Sequence, residues 1–431
     1  MTMKHYNFDE IIQRRGTNCI KYDMLETYFG NAVALPLWVA DTDFRVPDFI
    51  MDALYERMNQ GILAYSYRPE SYYEAIIKWM ERKQKWKIDK DMITSSPGVV
   101  SAVTMLIMAL SDPGDKVIVQ PPVYFPFYTS IKGSGRKMVE NPLIIKEGRY
   151  TFDFDNLKQV IDPQTKLLIL CSPHNPGGMV WKIDELEELS RICVENGVVI
   201  ISDEIHSDLV FTENKHIPIP MVSEKIAMNS AVLMAASKTF NVAGLSSAFV
   251  IIPNKKIKVK YERVLHTIHI DSGNIFGNIA TEAAFRHGYD WLTQLMSYLE
   301  GNYNFLETFL TQRMPQIKIM KPEATFLVWL DFTAYNLSEK QLARIFIGGG
   351  VALNHGSKFG TGGEGYFRIN FGCPGAVLEE GLMKIEKSLQ QNNGLQLNRI
   401  NKRSAPPLIG NETFFDHIFY SYIWYVVWTT K

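Results

Sequence analysis

VVIISDEIHSDL, residues 198–209, passes from four β-branched apolar residues straight into a run that holds Asp203, Glu204 and His206. Val198 to Ile201 reads as a strand, because a short β-branched run bounded by polar residues suits a sheet interior. Just upstream, Asp184 to Asn196 reads as a helix: Asp184 stands three residues before Glu187 as in a capping box, and Gly197 supplies a helix stop. Short apolar runs recur between amphipathic segments at Lys116 to Val119, Lys166 to Leu170, Ala231 to Ala235 and Ala248 to Ile252. This alternation predicts an α/β protein with a mostly parallel sheet flanked by helices.

Further out the pattern changes. Residues 1–45 read as an N-terminal arm, with Leu35 to Val39 apolar but interrupted by Pro36. Residues 46–285 form the expected large domain. Residues 286–390, with strand candidates Thr325 to Leu330 and Tyr366 to Phe371 and a helix from Ala376 to about Gln390, form a smaller α+β domain together with the arm. Residues 391–431 depart from the pattern, ending in TFFDHIFYSYIWYVVWTTK. Asp416 and His417 interrupt that aromatic run, which is too short for a membrane span. It reads as an extension beyond a complete domain, with a membrane-surface or partner-docking arm as the alternative.

Composition narrows the function classes. The 431 residues carry 45 Lys plus Arg against 46 Asp plus Glu, so no global field favours nucleic acid. Cys19, Cys171, Cys193 and Cys373 stand far apart without CxxC pairing, which reads as reduced core thiols. MTMKHYNFDE has no apolar segment of the secretory kind, so a cytoplasmic location is expected. The reading is a small-molecule enzyme or binder, with no nucleic-acid partner and no metal.

Four sites on this scaffold carry chemistry. Lys238 in MAASKTFN follows an apolar strand, where burial can lower an amine's pKa and make it a Schiff-base nucleophile. Gly98 in SSPGVV opens an apolar helix, so the amides of Val99 and Val100 can face an anion. CSPHNPGG, residues 171–178, follows a strand and offers Asn175 at the C-terminal edge of the sheet, where such folds bind ligands. Asp203 ends a strand at the same edge. Taken singly, each residue has a bland alternative: a solvated Lys, a buried helix start, a loop Asn, a structural carboxylate. Together they fit pyridoxal 5′-phosphate, which needs a Lys for its aldehyde, a carboxylate for its pyridine nitrogen and a helix terminus for its phosphate.

At this point the chain resembles the fold-type I pyridoxal-phosphate enzymes, and within them the MalY and PatB type cystathionine β-lyases, or C-S lyases. The resemblance runs from about residue 5 to about residue 390 through LPLWVADTDF, GILAYSY, SSPGVV, PPVYFPF, SPHNPGG, SDEIHSDL, SKTFNVAGL and NHGSKFGTGGEGYFRINFGCP. It implies a seven-stranded sheet, with Lys238 bonded to the cofactor and Asp203 paired with the pyridine nitrogen. Asn175 would bond the phenolic oxygen and Tyr124 would stack on the ring. The amides of Val99 and Val100, with Ser237, would hold the phosphate, joined by Tyr65 from the partner subunit of a homodimer. Arg368 would clamp the substrate carboxylate, and Ala40 lies where the family's backbone approaches it.

Two positions depart from the wider family: Gly177 stands where Thr is usual, leaving the following helix start looser, and Ala235 stands where a phosphate-binding Ser is common. His206 occupies the place of the Tyr in the usual Asp-x-x-Tyr of aminotransferases. The resemblance therefore implies β-elimination on sulfur amino acids, with an aminotransferase, or a lyase with an added regulatory protein-binding role, as alternatives. His206 is expected beside the phenolic oxygen or orienting its neighbours, and Glu204 as scaffold. A metal reading of Asp203, His206 and His174 lacks an HExxH or a Cys cluster, and no GxSxG supports a serine hydrolase.

Overall fold

The apolar runs become strands because their β-branched residues pack on a pleated surface buried on both faces. The computed structural model describes residues 4–400. Its strands are β1 (Leu35–Pro36), β2 (Ile93–Ser96), β3 (Lys116–Val119), β4 (Lys137–Glu140), β5 (Ile144–Lys146), β6 (Arg149–Thr151), β7 (Thr165–Cys171), β8 (Val199–Asp203), β9 (Ser230–Met234) and β10 (Ala248–Ile251). They continue with β11 (Lys318–Met320), β12 (Leu327–Asp331), β13 (Val351–Ala352), β14 (Asn354–His355) and β15 (Tyr366–Asn370).

The large sheet has seven strands in the order β2-β10-β9-β8-β7-β3-β4. From β9 to β4 every pairing is parallel, whereas β10 runs antiparallel to both β9 and β2. Helices Val99–Leu110 and Lys255–Thr267 bury Val103, Leu106, Tyr261 and Leu265 against Val119, Ile169, Ile201, Leu233 and Val250. Each such fully buried side chain contributes roughly 1.5–3 kcal/mol relative to exposure.

Register carries the chemistry to one edge. Cys171 pairs with Asp203 and Asp203 with Leu233, so the parallel strands β7, β8 and β9 end side by side. The loops that follow them, with Asn175, His206 and Lys238, leave from the same C-terminal edge.

A second sheet, in the order β11-β12-β15-β14, carries Arg368 in the middle of β15, opposite Trp329 and Asn354. The N-terminal segment joins this part of the chain: β1 pairs in parallel with β13, and Asn354 Nδ2 donates to the Trp38 carbonyl at 2.8 Å. Among the described residues, 4–388 form one compact unit.

Several details differ from expectation. The helix over Ile183–Glu195 starts one residue earlier than predicted, and Glu185, not Glu187, reaches back to accept from the Lys182 backbone N–H at 2.8 Å. The terminal helix runs from Gly375 to Ile400 rather than ending near Gln390. The aromatic run of the expected extension lies outside the described residues. The helix after Gly177 starts only at Ile183, and a Cβ on Gly177 would meet the Tyr150 ring at 2.9 Å, so a Thr side chain there requires that ring to shift.

Candidate active site

Asp203 closes β8 and is buried, with one carboxylate oxygen accepting from the Ile205 backbone N–H at 3.1 Å. Burial pushes its pKa up to about 7. Glu204 next to it points elsewhere: its carboxylate meets Ser202 Oγ at 2.8 Å, His216 Nε2 at 2.8 Å and the Ile219 backbone N–H at 3.0 Å. Alternation along the extended chain thus separates two adjacent carboxylates, Glu204 tied into a network and Asp203 accepting from the Ile205 backbone.

His206 is buried against the Phe326 ring, edge to face at 5.9 Å between centroids. Its Nδ1 has no hydrogen-bond partner, and burial lowers its pKa to about 3, so the ring is neutral. His174 is also buried, its pKa lowered to about 3 by burial, with Nδ1 accepting from the Gly177 N–H at 3.3 Å between the Tyr150 and Trp181 rings. Among the described residues, no three His, Cys, Asp or Glu side chains are placed to hold a metal ion together.

Asp208, the last carboxylate of the opening stretch, is an addition the sequence did not single out. Its two oxygens accept from Trp79 Nε1 and Thr239 Oγ1, each at 3.0 Å. Thr239 follows Lys238, so Asp208 anchors the backbone that presents the lysine.

Lys238 donates from Nζ to the Ala40 carbonyl at 2.6 Å. Burial lowers its pKa, Asp41 and Asp203 raise it and Arg368 lowers it further, with lowering the net result. Lys238 therefore lies within the field of both Asp203 and Arg368. Ser237 beside it is half-buried, and Ala235 is buried.

Arg368 is buried on β15. Its Nη1 donates to Asn175 Oδ1 at 2.9 Å and its Nη2 to the Trp38 carbonyl at 2.8 Å, while Nε has no partner. The Phe359 ring lies 5.0 Å from the guanidinium, and among the described residues no carboxylate forms an ion pair with it. Burial lowers its pKa to about 10. A buried guanidinium without a counter-ion is costly, and an incoming carboxylate supplies what it lacks.

Tyr124 is half-buried, its pKa pushed up to about 12 by burial and then by Asp203, which places the phenol in the field of that carboxylate. Val99 and Val100 begin the helix after Gly98, and first-turn amides have no intrahelical acceptor. Tyr65 is fully exposed on this chain, apart from the cluster of Asp203, Lys238 and Arg368. A cavity of about 870 Å³ adjoins Lys238 and Ala40 and is lined also by Arg14, Asp41, Asp43 and Asn241. Cys19, expected in the core, lies half-exposed on this cavity and accepts from Arg14 Nη2 at 3.0 Å, whereas Cys171, Cys193 and Cys373 are buried.

Residues 36–385 match the aminotransferase class I and II family. Over 385 residues the chain is 44% identical to cystathionine β-lyase PatB of Bacillus subtilis, covering 89% of this chain and 100% of PatB. It is 32% identical to protein MalY of Escherichia coli, covering 88% and 97% of the two chains. A crystal structure of a PLP-bound putative aminotransferase from Clostridium difficile superposes with a TM-score of 0.88 at 41% identity, covering 89% of this chain and all of the other. With its seven-stranded sheet and with Lys238 in the field of both Asp203 and Arg368, the chain belongs to the aminotransferase class I and II family, in the branch of PatB and MalY.

Proposed function

We propose that the protein is a pyridoxal-phosphate-dependent carbon–sulfur lyase that performs β-elimination on sulfur amino acids, releasing a thiol, pyruvate and ammonia. The observation that carries the proposal is a half-buried amine in the field of both a buried carboxylate and a buried guanidinium, in a chain 44% identical to a cystathionine β-lyase.

The residues fit the cofactor. The buried Asp203 carboxyl, held near pKa 7, gains from a cation, and a protonated pyridine nitrogen is one. Arg368 occupies Asn175 Oδ1, which leaves the Asn175 amide N–H groups to donate to a phenolic oxygen. The unpartnered Nδ1 of His206 lies within the field of both Lys238 and Arg368. Tyr124 offers a ring face, and the amides of Val99 and Val100 with Ser237 offer phosphate donors, joined by the partner subunit's Tyr65.

Pyridoxal phosphate, when bound, supplies an electron sink conjugated to the substrate Cα. Arg368 binds the substrate carboxylate, near the backbone of Ala40. Lys238, with a pKa lowered by burial, takes the Cα proton on Nζ. The Cβ–S bond then breaks with its electron pair on sulfur, which leaves as a thiolate and takes up a proton; the aminoacrylate released tautomerises to its imine, and one water hydrolyses that to pyruvate and ammonia. A homodimer with shared sites and a cytoplasmic location belong to the same proposal; among the described residues, no helix is long and apolar enough to cross a membrane.

The test is incubation of the purified protein with cystathionine or cystine in the absence of any keto acid. Accumulation of pyruvate supports elimination. Amino transfer to an added keto acid with pyruvate at background makes the protein an aminotransferase.

A further inference from the structure

The segment Trp38–Phe44 lies under the lysine, and side chains hold most of its carbonyls. Trp38 O accepts from Asn354 and Arg368, Thr42 O from Arg14 and Asn241, and Phe44 O from Asn241. Ala40 O accepts from Lys238. The two carbonyls on either side of Ala40 share one donor: Asn370 Nδ2 reaches Val39 O at 2.6 Å and Asp41 O at 2.5 Å. Its Oδ1 in turn accepts from the Gly372 N–H at 2.8 Å, which fixes the amide's orientation.

Asn370 is fully buried and ends β15, two residues after Arg368. Its amide group therefore bridges the residues flanking Ala40 from the strand that also carries the carboxylate clamp. Charged groups pin the segment further out: buried Lys21 meets Asp43 at 2.7 Å, and Arg14 meets Asp41 at 2.7 Å and Asp43 at 2.5 Å.

We propose that Asn370 is a positioning residue for the Lys238 amine: by bridging the carbonyls of Val39 and Asp41 it aims the Ala40 carbonyl that holds Nζ. This inference rests on the reading of Lys238 as the base. A lysine released from other bonds has four rotatable carbons, and a hydrogen bond to a fixed carbonyl removes most of that freedom. Misplacement of a reacting group by about 1 Å can cost about 100-fold in rate. Asn370 acts on Cα proton removal and leaves substrate binding to Arg368.

The experiment compares wild type with Asn370→Ala and, as a control that loosens the same segment elsewhere, Arg14→Gln. Three quantities are read: kcat and KM for cystathionine, the primary isotope effect with substrate deuterated at Cα, and the labelling of Lys238 by an amine-directed reagent in the cofactor-free protein. For Asn370→Ala, kcat falls by about tenfold or more, KM stays within a factor of a few, the isotope effect rises, and Lys238 labels several-fold faster. Arg14→Gln lowers thermal stability without raising the isotope effect or the labelling. An Asn370→Ala protein that melts earlier but keeps the wild-type isotope effect and Lys238 labelling overturns the inference, as does an Arg14→Gln protein showing both changes. Should the alanine variant fail to fold, Asn370→Ser, which retains one donor, is read by the same criteria. Absence of elimination in the wild type contradicts the proposed function instead, and the labelling result then still decides whether Asn370 positions the amine.

Discussion

Arg368 Nη1 donates to Asn175 Oδ1 at 2.9 Å, joining the middle of β15 to the loop after β7. Two residues 193 positions apart thereby share one hydrogen bond, and the residue proposed to clamp a substrate carboxylate is bonded to the one proposed to face the cofactor's phenolic oxygen.

Arg368→Lys keeps a charge but loses the planar fork that serves Asn175 and Trp38 together. Hydrogen bonds to charged groups contribute about 1.5–3 kcal/mol, so kcat/KM for cystathionine falls by about 10- to 100-fold, with most of the change in KM. Steady-state kinetics check this. A KM equal to wild type removes Arg368 from carboxylate binding.

Lys238→Ala abolishes the visible absorbance of the bound cofactor and lowers kcat by at least the roughly 100- to 10,000-fold typical of a general base. Absorption spectra of the purified variant incubated with pyridoxal phosphate provide the measurement. A wild-type spectrum in the variant rules out Lys238 as the attachment point.

Asp203 gives a pH signature in the cofactor-free protein. Its folded pKa, about 7, lies above the ordinary carboxyl value of 3.8, so the folded state retains the proton that the unfolded chain has lost. Stability contributed by this group is therefore present below about pH 4 and is lost as pH rises towards 7. His206 and His174, with pKa lowered to about 3, act in the opposite sense over roughly pH 3–6.5. The difference in Tm between wild type and Asp203→Asn isolates the aspartate: asparagine gains relative stability as pH rises through that window. A pH-independent difference contradicts the raised pKa.

Tyr65 is fully exposed on its own chain, as a residue serving its partner's site would be. Tyr65→Phe removes one hydrogen bond to a charged phosphate, about 1.5–3 kcal/mol, and weakens cofactor retention by about 10- to 100-fold in an intact dimer. Equilibrium dialysis with sedimentation checks both terms. Unchanged retention, or a fully active monomer, contradicts the shared site.

What the sequence disclosed follows from the range of the forces involved. Strands β3, β7, β8, β9 and β10 are legible because their apolar runs are buried on both faces, as Val117–Val119 and Ile200–Ile201 are. The edge strands β2, ITSS, and β4, KMVE, escape because they mix polar residues with few apolar ones. The antiparallel entry of β10 escapes as well, since burial pattern does not encode strand direction. Asp203 and Lys238 are legible because each follows an apolar strand at the binding edge. Asn370, Trp38 and Asp208 are not, because each makes a bond to a residue 129 or more positions away, and no local pattern announces a bond to a distant carbonyl or ring.

The fate of the substrate nitrogen tests the central claim most directly. With cystathionine labelled at its amino nitrogen and a keto acid present, β-elimination predicts that the label appears as free ammonia, one for each pyruvate formed. Label recovered in the amino acid derived from the added keto acid, with no matching pyruvate, contradicts a carbon–sulfur lyase.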